Sequence, residues 1–340
     1  MEKVPLIHTC WLKPFADYFA ARGVSLKSYC DQAQIPLPHV TQGDGWITKV
    51  QLYELLQAIA DGEQMPEVGF VVGEFLTPDR LGDLGAAMAR HSTLGGVIRS
   101  FCELINRHVE GNRCWLEEAG GGEIWLYNKK VPIPMPGQII ADQAGLFSMI
   151  SLCRLVAGHD WYPEKACLQT ADNGAHRRVG VLAQVDLSFE AKATGFAFPA
   201  RWLLDSIPTP TNQSARPEPR SPGLIDEGTP LSAKLELLLR EVLGVGGICP
   251  TAGLMAEICG FSQRSLFREL QAEAGAYQEI LDKVRFERAC EALGETDLSI
   301  KELAYDLGYS GPNNFIRAFK RMSGQTPTAY RKRRLPKRRD

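Results

Sequence analysis

Ala256-Glu-Ile-Cys-Gly260-Phe-Ser262 and Ala304-Tyr-Asp-Leu-Gly308-Tyr-Ser310 are two versions of one pattern, 48 residues apart. After the serine the offset becomes 49, which pairs Leu266 with Phe315, Arg268 with Arg317 and Leu270 with Phe319. The alanine lets two helices cross closely, and the glycine four residues on supplies a positive φ in a short turn. The serine is then placed to cap the helix that follows. The pattern predicts a helix-turn-helix within 251–270 and a second, one residue longer, within 298–319. Met255 with Ile258, and Leu303 with Leu307, are expected to fill the core under each turn, together with Leu266, Leu270, Phe315 and Phe319.

Working outward, residues 231–243 place Leu235, Leu238, Leu239 and Val242 on one helical stripe. Residues 277–293 do the same with Ile280, Leu281, Val284 and Ala289, so one long helix joins the two motifs. The net charge of −2 conceals an asymmetry: residues 251–340 carry 16 Lys/Arg against 12 Asp/Glu. Between Asp306 and Asp340 there is no acidic residue, but there are ten basic ones. Such a field suits a polyanion, with a solvated, solubilising tail as the alternative reading.

Two such motifs on one connecting helix, followed by a basic tail, resemble the bacterial AraC-type (AraC/XylS) transcription regulators. The resemblance spans about 231–335 and extends to Val284-Arg285-Phe286-Glu287-Arg288-Ala289 and Leu298-Ser299-Ile300-Lys301-Glu302-Leu303-Ala304. It also takes in Phe315-Ile316-Arg317-Ala318-Phe319-Lys320-Arg321 and Gly324-Gln325-Thr326-Pro327-Thr328-Ala329-Tyr330-Arg331. It implies that the second helix of each motif enters a major groove of double-stranded promoter DNA. The reading face of the first would hold Gln263, Arg264, Phe267 and Arg268, and that of the second Pro312, Asn313, Asn314 and Arg317. Arginine can grip guanine N7 and O6, asparagine adenine N7 and N6, and Phe267 a thymine methyl. Ser262, Ser310 and Lys320 are placed for phosphates, which set register. The alternative for Arg268 and Arg317 is an ion pair within the domain. Pro312 departs from the polar residue of many relatives and is expected to start its helix. The resemblance further implies an activator, RNA polymerase as a partner and a homodimer.

Residues 1–205 read as one α+β domain, so the fold class is an α+β regulatory domain followed by an all-α DNA-binding domain. Helices are expected at 11–22, 49–61, 94–109 and 139–157, the last mostly buried. A hairpin is expected from 113–118 and 123–131 through Gly120-Gly121-Gly122, and short strands at 166–170 and 194–198. Residues 206–230, with Pro208, Pro210, Pro217, Pro219, Pro222 and Pro230, read as a linker, and 336–340 as a basic tail. The stretch Val185-Asp186-Leu187-Ser188-Phe189-Glu190-Ala191-Lys192, with Gly195-Phe196-Ala197-Phe198-Pro199-Ala200, is similar to the long regulatory domain of the ornithine-responsive and virulence-regulator branches. That similarity implies an effector-binding and dimerisation domain and leaves the effector's identity open.

Nine scattered cysteines without a C-x-x-C suit buried thiols in a reducing cytoplasm, and the dispersed histidines form no metal motif. No nucleotide loop, nucleophile elbow or nucleophile–base pair is present, so neither catalysis nor a cofactor is expected. Gly244-Val-Gly246-Gly247 reads as helix-end glycines rather than a dinucleotide fingerprint. The longest run free of Asp, Glu, Lys and Arg is 15 residues and is broken by glycines, so no membrane span is expected.

Overall fold

The computed structural model describes residues 4–207, 229–243, 250–295 and 298–334. Most of the expected linker, the glycines at 244–247 and the expected tail 336–340 lie outside the described residues. The described residues fall into two compact units, one within 5–207 and one made of Val4 together with residues from 229–334.

The first unit runs β1 (Leu6–His8), α1 (Lys13–Ala20), α2 (Lys27–Gln32), α3 (Leu37–Gln42), β2 (Trp46–Thr48), α4 (Lys49–Gly62), α5 (Val68–Gly73), α6 (Gly82–Met88) and α7 (Leu94–His108). It continues β3 (Arg113–Gly120), β4 (Glu123–Lys129), α8 (Gly137–Ala157), β5 (Lys165–Cys167), β6 (Asp186–Ser188) and β7 (Thr194–Pro199). The expected hairpin forms, with Leu116 opposite Leu126. Gly120, Gly121 and Gly122 all take positive φ (83°, 62° and 81°), which only glycine adopts without strain in succession. Its strands join a five-stranded sheet ordered β3-β4-β7-β5-β6, antiparallel except for β5 with β6. Leu126 is fully buried in the interior strand β4, whereas Cys114 and Leu116 on the edge strand β3 are half-buried. β1 and β2 pair separately.

Helix α8 is the core of this unit: Leu146, Phe147, Met149, Leu152 and Cys153 have no exposed surface. Among the described residues it is the one helix long and apolar enough to cross a membrane (mean hydropathy 1.5), yet 72% of its apolar window is buried inside the protein. Glycines let α5 lie directly on it. A Cβ at Gly69 would stand 2.2 Å from the Ile140 carbonyl oxygen, and one at Gly73 2.7 Å from Phe147 Cβ. α4 starts on a capping box in which Thr48 Oγ1 accepts from Gln51 N while Thr48 N donates to Gln51 Oε1.

The histidines and cysteines are dispersed in sequence, but folding gathers three of them. His8, Cys10 and His108 place their ligating atoms within 4.8 Å of one another. Burial holds both imidazoles below their ordinary pKa, His108 at about 4, and pushes the Cys10 thiol up to about 12. All three are therefore neutral at pH 7.

The second unit contains α9 (Leu231–Val242), α10 (Ala252–Ile258), α11 (Gln263–Ala272), α12 (Tyr277–Glu295), α13 (Ile300–Asp306), α14 (Pro312–Ser323) and α15 (Pro327–Arg334). Leu235, Leu238 and Leu239 of α9 are buried, as are Leu281, Val284 and Ala289 of α12, while Ile280 is half-buried. Arg240 of α9 pairs with Glu287 of α12, and Lys283 of α12 with Glu236 of α9 at 2.7 Å.

The close α5–α8 crossing generates a prediction. Gly69→Ala must push the two helices apart and should lower stability by about 1–3 kcal/mol. An unchanged denaturant midpoint would show that the crossing has slack.

Candidate nucleic-acid interface

Each helix-turn-helix is set by the same hydrogen-bond arrangement. At the end of α10, Gly260 N donates to Glu257 O (2.9 Å) and Phe261 N to Ala256 O (2.8 Å). At the end of α13, Gly308 N donates to Tyr305 O (2.8 Å) and Tyr309 N to Ala304 O (2.9 Å). These are paired helix-closing bonds around a left-handed residue, and the glycines have φ of 72° and 70°. The repeat seen in the sequence is thus a repeat of backbone geometry. Ala256 and Ala304 are 1% and 0% exposed, as close helix contact requires.

The second helices of the two motifs, α11 and α14, differ at their starts. Ser262 caps α11, its Oγ accepting from Ser265 N at 3.1 Å. Ser310, expected to cap in the same way, does not cap α14. The extra residue of the second motif, Gly311, occupies the capping position, and Pro312 stands as the first helical residue. Ser310 is displaced by one position, where its Oγ accepts from Asn314 Nδ2 at 2.7 Å. Pro312 starts the helix as its fixed φ suggests, and it is half-buried.

The remaining site residues all reach solvent. Gln263, Arg264, Phe267 and Arg268 are exposed on α11, above the buried Leu266 and Leu270. Phe267, at 44% exposure, is a large apolar ring with no core to join. Asn313, Asn314, Arg317 and Lys320 are exposed on α14, above the buried Phe315 and Phe319. On α14 the polar groups form a chain, since Arg317 Nη2 donates to Asn314 Oδ1 at 2.6 Å and Asn314 in turn donates to Ser310. Arg268 instead pairs with its neighbour Glu269 at 3.0 Å, with its own side chain 68% exposed. An exposed ion pair of this sort is worth under about 1 kcal/mol, so it does not hold the guanidinium against a stronger partner.

Arg285 has no role that the sequence pattern assigns, and the structure supplies one. From the middle of α12, Arg285 Nε donates to Leu307 O (2.9 Å) and Nη2 to Gly308 O (2.8 Å). Its guanidinium lies 4.6 Å from the Tyr309 ring centroid. The connecting helix therefore grips the turn of the second motif. Near its other end, Tyr277 Oη donates to the Pro250 carbonyl, and Glu273 accepts from Leu231 N and Ser232 N at the start of α9. Burial alone would raise the Glu273 pKa, but those two backbone donors hold it below the ordinary range. Arg321 of α14 also pairs with Asp282 of α12 at 2.7 Å. An arginine four residues from both Leu281 and Ala289, on the apolar side of the helix, was the signal available in the sequence. Within the basic run, Arg331 donates to the Leu298 carbonyl at 2.6 Å, whereas Lys332 and Arg333 are exposed.

Arg285→Met removes two charge-assisted hydrogen bonds and should destabilise the second unit by about 1.5–3 kcal/mol. A denaturant melt that is indifferent to this change would sink the clamp.

Comparisons with known proteins divide along the same lines. A helix-turn-helix domain model matches residues 255–333, and the model of the N-terminal arabinose-binding domain of AraC transcription regulators matches residues 23–206. The ornithine utilization regulator of Pseudomonas aeruginosa is 24% identical over 339 residues, covering 97% of this chain and 99% of its own. The regulator VqsM of the same organism is 30% identical over 144 residues, 40% of this chain and 43% of its own. Among solved structures, that of the regulator CdpR from P. aeruginosa covers 92% of this chain and 98% of its own, with 19% identity and a TM-score of 0.37. With the duplicated helix-turn-helix at one end and the regulatory-domain match spanning more than half of the sequence, the chain belongs to the AraC family of transcription regulators.

Proposed function

We propose that this regulator reads a specific promoter sequence with both helix-turn-helix motifs on one duplex, and that a small-molecule effector held by the first unit controls that reading. The observation that carries the proposal is the pair of matched turns, each presenting an exposed polar face over a buried apolar one. Arg268 and Arg317 are assigned to guanine, Asn313 and Asn314 to adenine, and Phe267 to a thymine methyl, with Gln263 and Arg264 completing the first face. Ser262, Lys320 and the displaced Ser310 are assigned to phosphates, and Pro312 sets where the second face begins.

The regulatory unit, 1–205, is assigned effector binding and self-association, and 231–335 DNA reading, joined by the proline-rich segment 206–230. Two copies on two half-sites gain effective concentration, which supports a homodimer. The full-length likeness to an ornithine utilization regulator supports control by a metabolite. An effector acts only through unequal affinity for the states it shifts. Activation through contact with RNA polymerase, in the cytoplasm and without catalysis, completes the reading.

Arg268→Ala and Arg317→Ala should each cost about 1–3 kcal/mol at the preferred operator and leave non-specific binding nearly intact. Full discrimination by both variants in a competition gel shift would show that other side chains read the bases. Neutralising Lys332 and Arg333 together as glutamines should weaken binding to every sequence alike. Each phosphate neutralised by the protein adds roughly 0.9 to the slope of log affinity against log salt, so that slope should become shallower by about two. An unaltered slope would assign these residues to solubility instead.

A further inference from the structure

We propose that the first unit holds a binding site for a small monocarboxylate with an apolar body, in a cavity between α4, α7 and α8 headed by Lys49 and Lys130. The proposal rests on the effector reading above and gives that effector a chemical class.

Apart from the polar head, the walls are mostly hydrocarbon: Phe15, Leu52, Leu56, Leu76, Phe101 and Ile105 line the cavity. Its charged lining groups are both cations, and no aspartate or glutamate lines it. Lys49 is 1% exposed and Lys130 7%, so neither ammonium is there by virtue of reaching water. The two are not equivalent. Lys130 Nζ is matched by Asp142 Oδ1 at 2.6 Å and also donates to Ala141 O at 2.8 Å. Lys49 Nζ donates to Asn112 Oδ1 at 2.9 Å, a neutral acceptor.

Three further polar atoms of the lining residues are buried and unmet. Trp11 Nε1, Asn128 Oδ1 and Ser148 Oγ belong to lining residues, are buried, and have no hydrogen-bond partner among the described residues. Asn128 is 4% exposed and Ser148 1%. Buried donors and acceptors left unmet cost stability, and a site that carries several of them in one cavity is built for an outside partner. Two of these groups, the indole N–H and the serine hydroxyl, can donate to a carboxylate. Burial and the nearby Lys130 push Lys49 down to about 7, against the opposing pull of Glu110 and Asp142. An anion beside it restores the charged form, so the protein itself favours a negative guest.

Size narrows the class. The cavity volume is about 70 Å³. On the measure by which one water-sized site takes roughly 10–15 Å³, this suits a guest of roughly five to seven non-hydrogen atoms. A zwitterion or diamine would bring an ammonium against two lysines with no lining carboxylate to receive it. The guest is therefore an acid without an amine: a straight or branched carboxylate of three to five carbons.

The test is calorimetric titration of the full-length protein with butanoate, butanol and butylamine. Butanoate should bind at least tenfold more tightly than either of the others. Lys49→Met should abolish that preference and Lys49→Arg should retain it, with circular dichroism confirming that each variant is folded. The comparison of the three probes on the unaltered protein stands even if Lys49→Met fails to fold. If butanol or butylamine binds as tightly as butanoate, the anionic assignment is overturned while the effector reading stands. If none of the three binds, the assignment is overturned as well. The effector reading falls only if operator affinity is also indifferent to a panel of amino acids, sugars and nucleotides.

Discussion

The geometry of the second unit depends on one helix against which both motifs are fastened. α12 is 19 residues long, or about 28 Å. Beside it, the first motif is fixed by the Tyr277 hydroxyl on the Pro250 carbonyl and by α9. Along it, the second motif is fixed by the Arg285 guanidinium on the Leu307 and Gly308 carbonyls. A buried arginine is costly unless its donors are met, and here backbone carbonyls and a tyrosine ring meet them. Because those carbonyls belong to the turn itself, the residue that holds the turn before α14 lies outside the motif. Apolar packing of Ala289, Leu293, Leu303, Ala304, Phe315 and Phe319 then completes the joint.

The same economy governs the first unit. α8 is apolar on almost every face because helices and a sheet surround it, and the glycines of α5 bring one neighbour to backbone distance. Into this core the fold inserts Asp142 opposite Lys130, and Lys49 beside Asn112. Replacing such groups with hydrocarbon is often neutral or stabilising in comparable cores, so stability alone does not account for their presence.

Much of the second unit is legible in the sequence because its signals are local. Ala256, Gly260, Ala304 and Gly308 each answer to a backbone requirement, and their spacing transmits it directly. The capping role expected of Ser310 fails for an equally local reason: the one-residue insertion lies where the repeat places it, but the cap moves with it to Gly311. Arg285 has no visible role because its partners are backbone carbonyls some 22 residues away, which no side-chain pattern records. In the first unit the long helices and the Gly120–Gly122 hairpin are readable, since amphipathic periods and turn chemistry survive in isolation. The three-residue strands β1, β2 and β6, and the six- or seven-residue helices α2, α3, α5 and α6, are shorter than the window over which a period can be recognised. The cavity is invisible for a different reason. Lys49 and Lys130 are 81 positions apart, and each alone reads as an ordinary surface lysine.

The exposed faces of α11 and α14 are alike in backbone and unlike in chemistry. One offers Gln263, Arg264, Phe267 and Arg268, the other Asn313, Asn314, Arg317 and Lys320. They follow one another along the chain with α12 between them. On the proposed reading, in which both faces meet one duplex, a single copy would have a head and a tail on that duplex, and reversing the site end for end would present each face with the other's bases. Orientation relative to the transcription start would then be information that one protomer can detect, where a symmetric reader would be blind to it.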